Sequence, residues 1–192
     1  MSLSEPLEVA LIVAAVLDDL GVEHLVGGSV ASSLHGIPRA TQDVDFVADL
    51  RAPSVPGLVE RLRGRFYVDA DAIADAVARR ASFNAVHLET MLKADVFVLR
   101  GDPFSREEMR RRAAVRVDAG RELWVASAED VTLHKLTWYR DGGEVSDRQW
   151  SDALGVLKVG GAAIDLAYLR RWAPELGVAE LLERLLADAD MA

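Results

Sequence analysis

Two aspartates separated by one residue, Asp43 and Asp45, are the first side chains whose spacing suggests chemistry. They belong to the segment 43–49, where polar and apolar residues alternate as in a half-buried β-strand. Because alternate residues of a strand share a face, both carboxylates are expected on one side, where they can bind hard divalent cations. The triplet alone is not specific. It occurs twice more in the sequence, at Asp69 and Asp71 and at Asp188 and Asp190.

A glycine turn, Gly27-Gly28-Ser29, precedes this strand and opens a segment of small residues, 30–35, that predicts a short helix. Glycine lets the backbone approach a ligand closely, and the first amides of a helix bind anions, so a phosphate would fit here. The alternative is a tight connection between the apolar run 24–26 and the helix, which needs glycine for its geometry only. Asp69 and Asp71, by contrast, are expected at a helix entrance, where acidic residues favour the helix dipole.

Asp95 is a third candidate, and it lies on a later predicted strand, 92–99. A carboxylate without a partner is costly to bury among apolar residues. Three environments therefore stay open for it: ligation to a metal, an ion pair with Lys93, or a place at an open cleft. Two metal ions held about 3.5 to 4 Å apart would need such a further carboxylate ligand.

Composition restricts the classes of function. The chain has 192 residues, no cysteine, and a net charge of -9 from 22 basic and 31 acidic residues. The absence of cysteine excludes thiolate metal clusters and cysteine nucleophiles. The net negative charge argues against extensive sequence-independent binding to DNA. The early apolar stretch 7–16 is too short to span a bilayer, and no Lys or Arg precedes Arg39, so we expect a cytoplasmic protein with no membrane segment.

The order of predicted elements indicates an α/β (α+β) domain at residues 1–126, followed by a C-terminal helical region at 127–192 that packs on it. Ser127 has the type and position of a helix N-cap, with Asp130 three residues later. The predicted strands are 24–26, 43–49, 66–68, 82–88, 92–99, 115–117 and 123–125. The predicted helices are 5–20, 30–35, 55–63, 70–80, 103–113, 128–139, 147–158, 165–172 and 178–187.

The segment from His24 to Val47 resembles the nucleotidyltransferase superfamily. The signature of that superfamily is a Gly-Ser turn, a short helix, and Arg-x-Thr-x-Asp-x-Asp on a strand. A second block, 127–140 followed by 147–152, resembles the helical portion of small bacterial nucleotidyltransferase-like proteins, including those related to the AbiEii-type toxins. Together the two resemblances cover most of residues 22–158.

The resemblance implies a mixed β-sheet with flanking helices, and the transfer of a nucleoside monophosphate from an NTP to an acceptor hydroxyl. In this interpretation Asp43, Asp45 and Asp95 are the catalytic carboxylates and the ligands of two Mg²⁺ ions. The residues implied in nucleotide binding are Gly27, Gly28, Ser29, Arg39, Thr41 and Lys135. For Arg39, an ion pair with Asp43 or Asp49 is an equal alternative.

Other functions stay open at this stage. The main alternative is a catalytically silent nucleotidyltransferase-like module, for example half of a toxin–antitoxin pair; a plain structural or oligomeric α/β protein is the third. The acceptor can be a small molecule, an RNA or a protein, and the sequence leaves the oligomeric state open. The run 110–112 with Arg116 is expected to be a solvated face rather than a polynucleotide site. The four tryptophans, Trp124, Trp138, Trp150 and Trp172, are expected in a helical core, with base stacking by one of them as the alternative.

Overall fold

The structure is a computed structural model that describes residues 4–191, and these residues form nine α-helices and seven β-strands. The helices are α1 (Glu5–Asp19), α2 (Gly28–His35), α3 (Val55–Leu62), α4 (Ala70–Arg79), α5 (Pro103–Arg111), α6 (Ala128–Asp141), α7 (Asp147–Gly160), α8 (Leu166–Glu175) and α9 (Ala179–Asp188). The strands are β1 (His24–Val26), β2 (Asp43–Ala48), β3 (Phe66–Tyr67), β4 (Ser82–His87), β5 (Lys93–Val98), β6 (Ala113–Arg116) and β7 (Glu122–Val125).

The chain divides into two compact units. The first consists of the chain up to Val30 together with Thr41–Val125, and the second consists of Ala31–Ala40 together with the chain from Ala126. Helix α2 therefore begins in the first unit and ends in the second.

The first unit is built on one seven-stranded sheet in the order β3-β4-β5-β2-β1-β7-β6. The sheet is mixed, because β2 pairs with β5 and β1 pairs with β7 in parallel, whereas the other neighbours are antiparallel. This is the mixed sheet with flanking helices that the sequence predicts. Strands β2 and β5 lie at its centre, and both carry candidate carboxylates.

Strand β2 shows why the carboxylates face outward. Its apolar residues Val44, Phe46 and Ala48 are completely buried, while Asp43 and Asp45 lie on the other face. Strand β5 repeats the pattern, with Ala94, Val96 and Val98 buried and Asp95 on the more open face beside the half-buried Phe97. Helix α3 of this unit packs against α1 and α4, and these two helices also pack against strands of the sheet. Period-two alternation thus fixes which face of the sheet holds the core and which can hold a site.

The second unit is a helical cluster in which α6 packs on α7, α8 and α9. Helix α6 begins as predicted, because the Ser127 hydroxyl accepts a hydrogen bond from the Asp130 amide at 3.1 Å. The Asp130 carboxylate is fully buried and accepts hydrogen bonds from Ser127 Oγ at 2.7 Å and from the Tyr168 hydroxyl at 2.6 Å. This network links the start of α6 to α8 and satisfies a charge that would otherwise be costly to bury.

Two sequence expectations about packing and boundaries are wrong. The helix predicted at 103–113 ends at Arg111, and Ala113 instead begins β6, where its ladder partner is Val125. The tryptophans do not share a helical core: Trp124 lies on β7 in the first unit, Trp138 is 53% exposed, and Trp172 is buried. The strand pairing of Ala113 with Val125 ends the helix early, and the positions of the tryptophans depend on which strand or helix face carries each of them. Local residue spacing predicts neither result.

Within residues 4–191, none of the helices combines the length and the apolar character that crossing a membrane requires.

Candidate active site

Asp45 and Asp95 lie directly opposite each other on the parallel strands β2 and β5. Neighbouring strands are about 4.8 Å apart, and residues in register present their side chains to the same face. Both side chains are half-buried. The structure thus brings together two of the three predicted catalytic carboxylates, although they are far apart in the sequence.

Gly28 lies against the carboxylate of Asp45. Its φ is +55°, and a Cβ built on it would overlap the Asp45 carboxylate, with Cγ only 2.5 Å away. The Gly27 amide, in turn, donates a hydrogen bond to the Asp45 carbonyl oxygen at 2.9 Å. Glycine at position 28 is therefore needed both for the backbone conformation and for the close approach of α2 to β2. Because the Gly27 amide already has this partner, Gly28 and Ser29 are the stronger candidates for an anion contact.

Ser29 lies in the first turn of α2, and its side chain is buried. The first amides of a helix lack intrahelical partners, and the helix dipole favours negative charge there. The eight residues of α2 thus begin next to Asp45, at the place where a phosphate could accept hydrogen bonds from the backbone.

Asp43 is held by a neighbouring hydroxyl. Thr41 Oγ1 donates a hydrogen bond to Asp43 Oδ1 at 2.6 Å, and Asp43 is opposite Lys93 in the β2–β5 register. Asp43 is exposed and shares a face with Asp45. Thr41, which the resemblance implies in nucleotide binding, is thus placed in the structure as the hydrogen-bond partner of a candidate metal ligand.

The surroundings of Asp95 raise the pKa of its carboxyl group. Burial raises its pKa above the ordinary value, the Lys93 ammonium lowers it, and the Asp43 carboxylate raises it, with a net increase. The ion pair with Lys93 that the sequence left open therefore does not offset burial. A carboxylate with a raised pKa is a better proton acceptor than an ordinary one, and it is also stabilised by any cation that arrives.

The donors on this face suit Mg²⁺ in kind, because Asp43, Asp45 and Asp95 offer only oxygen ligands. Among residues 4–191, however, no three His, Asp or Glu side chains are already arranged as ligands of one ion. Mg²⁺ is commonly held by one or two carboxylates, with substrate phosphates and water completing its octahedron. Asp45 and Asp95 supply the two carboxylates of such a site.

The two predicted basic contacts, Lys135 and Arg39, meet at Asp152 in the second unit. Lys135 Nζ lies 2.7 Å from Asp152 Oδ2, and both side chains are nearly inaccessible to solvent. The Arg39 guanidinium binds the same carboxylate through two bonds, Nε to Oδ1 at 2.8 Å and Nη2 to Oδ2 at 2.9 Å. The sequence named Asp43 and Asp49 as the alternative partners of Arg39 and missed Asp152.

Asp152 stays ionised because of these two cations. Burial acts to raise its pKa, but the hydrogen bonds from Arg39 and Lys135 outweigh burial and hold the pKa below the ordinary value. A signal for this role was present in the sequence. Asp152 directly precedes Ala153 and lies four residues before Val156, both of which are completely buried, so it belongs to the apolar stripe of α7.

The arginines of the 110–116 region form the expected solvated face only in part: Arg110 and Arg116 are exposed, whereas the Arg112 side chain is 18% exposed and lies over the Trp124 ring. Each of three arginines has an acidic partner in the first unit, and much of this charge is locally compensated. The pairs are Arg110 with Glu107, Arg112 with Glu23 and Arg116 with Glu122.

Solved structures similar to this chain are nucleotidyltransferases. The solution structure of the antibiotic-resistance factor ANT(2'')-Ia has a TM-score of 0.56 at 14% identity, covering 94% of this chain and 99% of that one. An antigenic nucleotidyltransferase-like protein from Paracoccidioides brasiliensis has a TM-score of 0.59 at 17% identity, covering 91% of each chain. No family model matches the sequence, and the search of curated proteins finds no significant match. The chain thus has the nucleotidyltransferase fold, which confirms the resemblance at the level of the fold.

Proposed function

We propose that this protein is a Mg²⁺-dependent nucleotidyltransferase that moves a nucleoside monophosphate from an NTP to the hydroxyl of an acceptor. The observation that carries the proposal is the alignment of Asp45 opposite Asp95, with the glycine at the start of α2 pressed against Asp45. A phosphate-binding helix start and two oxygen ligands thus lie side by side. We place the reaction in the cytoplasm.

The donor nucleotide binds at the start of α2. Ser29 and the backbone amides of the first turn hold phosphate oxygens. The missing side chain of Gly28 lets this turn lie directly against the Asp45 carboxylate. Arg39 and Lys135 remain predicted nucleotide contacts through their resemblance to residues of the superfamily. Their hydrogen bonds to Asp152 support a second role, as part of the buried network of the second unit.

Asp95 accepts the proton of the acceptor hydroxyl. The hydroxyl O–H bond breaks toward the Asp95 carboxylate as the oxygen attacks the α-phosphorus, and the bond from that phosphorus to the departing pyrophosphate breaks. The half-buried position of Asp95, opposite Asp45 and on the face that the start of α2 adjoins, supports this role. Asp43, held by Thr41, contributes negative charge on the same face.

Mg²⁺ bound by Asp43, Asp45 and Asp95 would neutralise charge on the phosphates and orient them for in-line displacement. The superfamily resemblance implies two ions.

A silent nucleotide-binding module is the second candidate function, since residues 4–191 hold no preformed three-ligand group. Such a module would bind an NTP without releasing pyrophosphate. It has no need of a carboxylate at Asp95, whose ionised form the fold disfavours.

The test incubates the purified protein with NTPs labelled at the α-phosphate, Mg²⁺ and a cell extract. We expect the label in a new product together with pyrophosphate, and the product identifies the acceptor. Asp45→Asn should lower the yield about a hundredfold or more, because correctly placed metal charge is worth several kcal/mol. Asp69→Asn with Asp71→Asn removes the same kind of triplet elsewhere and should leave the yield unchanged. NTP binding without any labelled product would favour the silent module.

A further inference from the structure

The face of the sheet that carries Asp95 continues past it to the edge of the sheet. Asn84 on β4 is opposite Asp95, and in the next row Lys93 is opposite Val86, which is opposite Tyr67 on the edge strand β3. Residues paired in this way point to the same face. Asn84, Val86 and Tyr67 thus extend the carboxylate face across two more strands; we call these three residues the outer face.

The outer face is accessible and carries groups that bind ligands. Asn84 is exposed and offers both a hydrogen-bond donor and an acceptor, and Tyr67 is 66% exposed. Met91, in the turn that joins β4 to β5, is 70% exposed and has a φ of +60°. Holding a non-glycine residue in that conformation costs about 1 kcal/mol. The backbone of this turn therefore holds an exposed apolar side chain at a conformational cost.

The topology separates this face from the proposed donor site. In the strand order β4-β5-β2-β1, the start of α2 follows β1, and the outer face lies beyond β5. Asp45 and Asp95 lie between the two regions. A nucleotide held at the start of α2 would therefore present its α-phosphate to the carboxylates from one side, and the outer face is the free approach from the other.

We propose that the outer face binds the acceptor, and that the acceptor is an elongated small molecule with a hydroxyl at one end and a ring or apolar group about 12 Å away. The length follows from the sheet, since Tyr67 lies two strand intervals from β5 and in the row of Lys93, two residues along the strand from Asp95. Tyr67 stacks on the ring, Asn84 hydrogen-bonds a polar group next to the reacting hydroxyl, and Val86, the register partner of Tyr67, adds apolar contact. This inference rests on the proposed function.

The charge of the face favours a small molecule over a polynucleotide. Within the described strands β3, β4 and β5, Lys93 is the one lysine or arginine, and it lies beside Asp43 and Asp95. A polynucleotide would need several cations to neutralise its phosphates. A neutral ring-bearing acceptor needs none.

The test uses the full chain with α-labelled ATP, Mg²⁺, and a cell extract separated into a small-molecule filtrate and a macromolecular fraction. We expect labelled product from the filtrate. Tyr67→Ala and Asn84→Ala should each raise the apparent KM for the acceptor in the filtrate about tenfold, which corresponds to about 1.4 kcal/mol for the loss of an aromatic stack or of a hydrogen bond to the acceptor. Binding of the NTP, measured by calorimetry, should match the unaltered protein. Trp138→Ala, which removes an exposed aromatic ring in the second unit, is the control and should retain the full yield.

Two results would overturn the proposal while leaving nucleotidyl transfer intact. One is label recovered on RNA or protein in the macromolecular fraction. The other is an unchanged KM in both variants. If the unaltered protein binds the NTP but labels neither fraction, the proposed function itself fails, and the acceptor site fails with it.

Discussion

Asp45 on β2 and Asp95 on β5 are partners in a parallel ladder, so two carboxylates from strands far apart in the sequence point to the same face at adjacent positions. Such a pair repels when both groups are ionised and no cation is present. A cation placed between the two side chains would relieve that repulsion. The register of β2 and β5 therefore provides the proposed binding site.

The contact between Gly28 and Asp45 gives the first prediction. Gly28→Ala should destabilise the protein by about 2 kcal/mol or more, because a methyl group at positive φ costs about 1 kcal/mol and this one would also overlap the Asp45 carboxylate. It should also weaken NTP binding. Urea unfolding and calorimetric titration measure the two effects.

Gly21→Ala is the matched control for this substitution. Gly21 has a similar φ of +64°, but nothing lies within 4 Å of a Cβ built on it. Gly21→Ala should therefore lower the free energy of unfolding only by the conformational cost of the new side chain, about 1 kcal/mol, and should bind NTP normally. Equal destabilisation by the two substitutions would show that Gly28 is needed for backbone geometry alone.

The buried pair Lys135 and Asp152 gives the second prediction. Asp152→Asn leaves the Lys135 ammonium without its carboxylate and should destabilise the protein by about 3 to 5 kcal/mol at neutral pH. Lys135→Met with Asp152→Leu should recover part of this loss, because the buried ammonium is removed together with its carboxylate, while the Arg39 side chain is 30% exposed and reaches water. Asp141→Asn, in the exposed pair with Arg140, should cost less than about 1 kcal/mol.

The pH dependence of this effect has a definite sign. The pKa of Asp152 is lowered in the folded protein, so its contribution is fully present above the unfolded value of about 3.9 and is lost as the pH falls through the folded value. Urea unfolding of the unaltered protein and of Asp152→Asn should thus give curves that converge below about pH 4. A constant difference at all pH values would contradict the assignment.

Asp95 gives a third prediction with the opposite sign. Its pKa is raised by burial, so ionisation weakens the fold as the pH rises from the unfolded value through the folded one. Asp95→Asn should therefore make the ligand-free protein more stable at neutral pH, with the advantage disappearing below about pH 4. A less stable Asp95→Asn variant at neutral pH would mean that the carboxylate has a stabilising partner. Urea unfolding at a series of pH values distinguishes the two outcomes.

Most of the fold could be predicted because local signals agree with it. The alternation around Phe46 predicts β2 and its buried face, and the caps at Ser127 and Asp69 mark the starts of α6 and α4. Each signal acts within a few residues, and the tertiary structure does not override it. Ala113 was predicted in a helix because its β-partner, Val125, lies beyond any local window.

The sequence predicts which residues belong to the candidate site, but it predicts only part of their arrangement in space. Spacing places Asp43 and Asp45 on one face, whereas the position of Asp95 opposite Asp45 depends on which strands are neighbours. The contact between Gly28 and the Asp45 carboxylate depends on how α2 approaches β2. These are long-range packing results that residue types alone do not determine.

Asp152 is the functional-site residue that the sequence interpretation did not include. The resemblance drew attention to Lys135 and Arg39 as cations for a phosphate, and the structure shows that both bind one carboxylate. A buried lysine requires a counter-charge. Asp152 is the acidic residue on the apolar stripe of α7, and this position in the sequence indicates it as that counter-charge.

The most direct test of the central claim is a calorimetric titration of ATP and GTP in the presence of Mg²⁺, made on the unaltered protein and on Asp43→Asn with Asp45→Asn. We expect NTP binding that requires Mg²⁺ and weakens about tenfold or more when the two carboxylates become amides, because two metal ligands are lost. The double variant Asp69→Asn with Asp71→Asn, which changes the net charge equally, should bind as the unaltered protein does. Equal heats for the Asp43 and Asp45 variant and the unaltered protein would contradict the metal site.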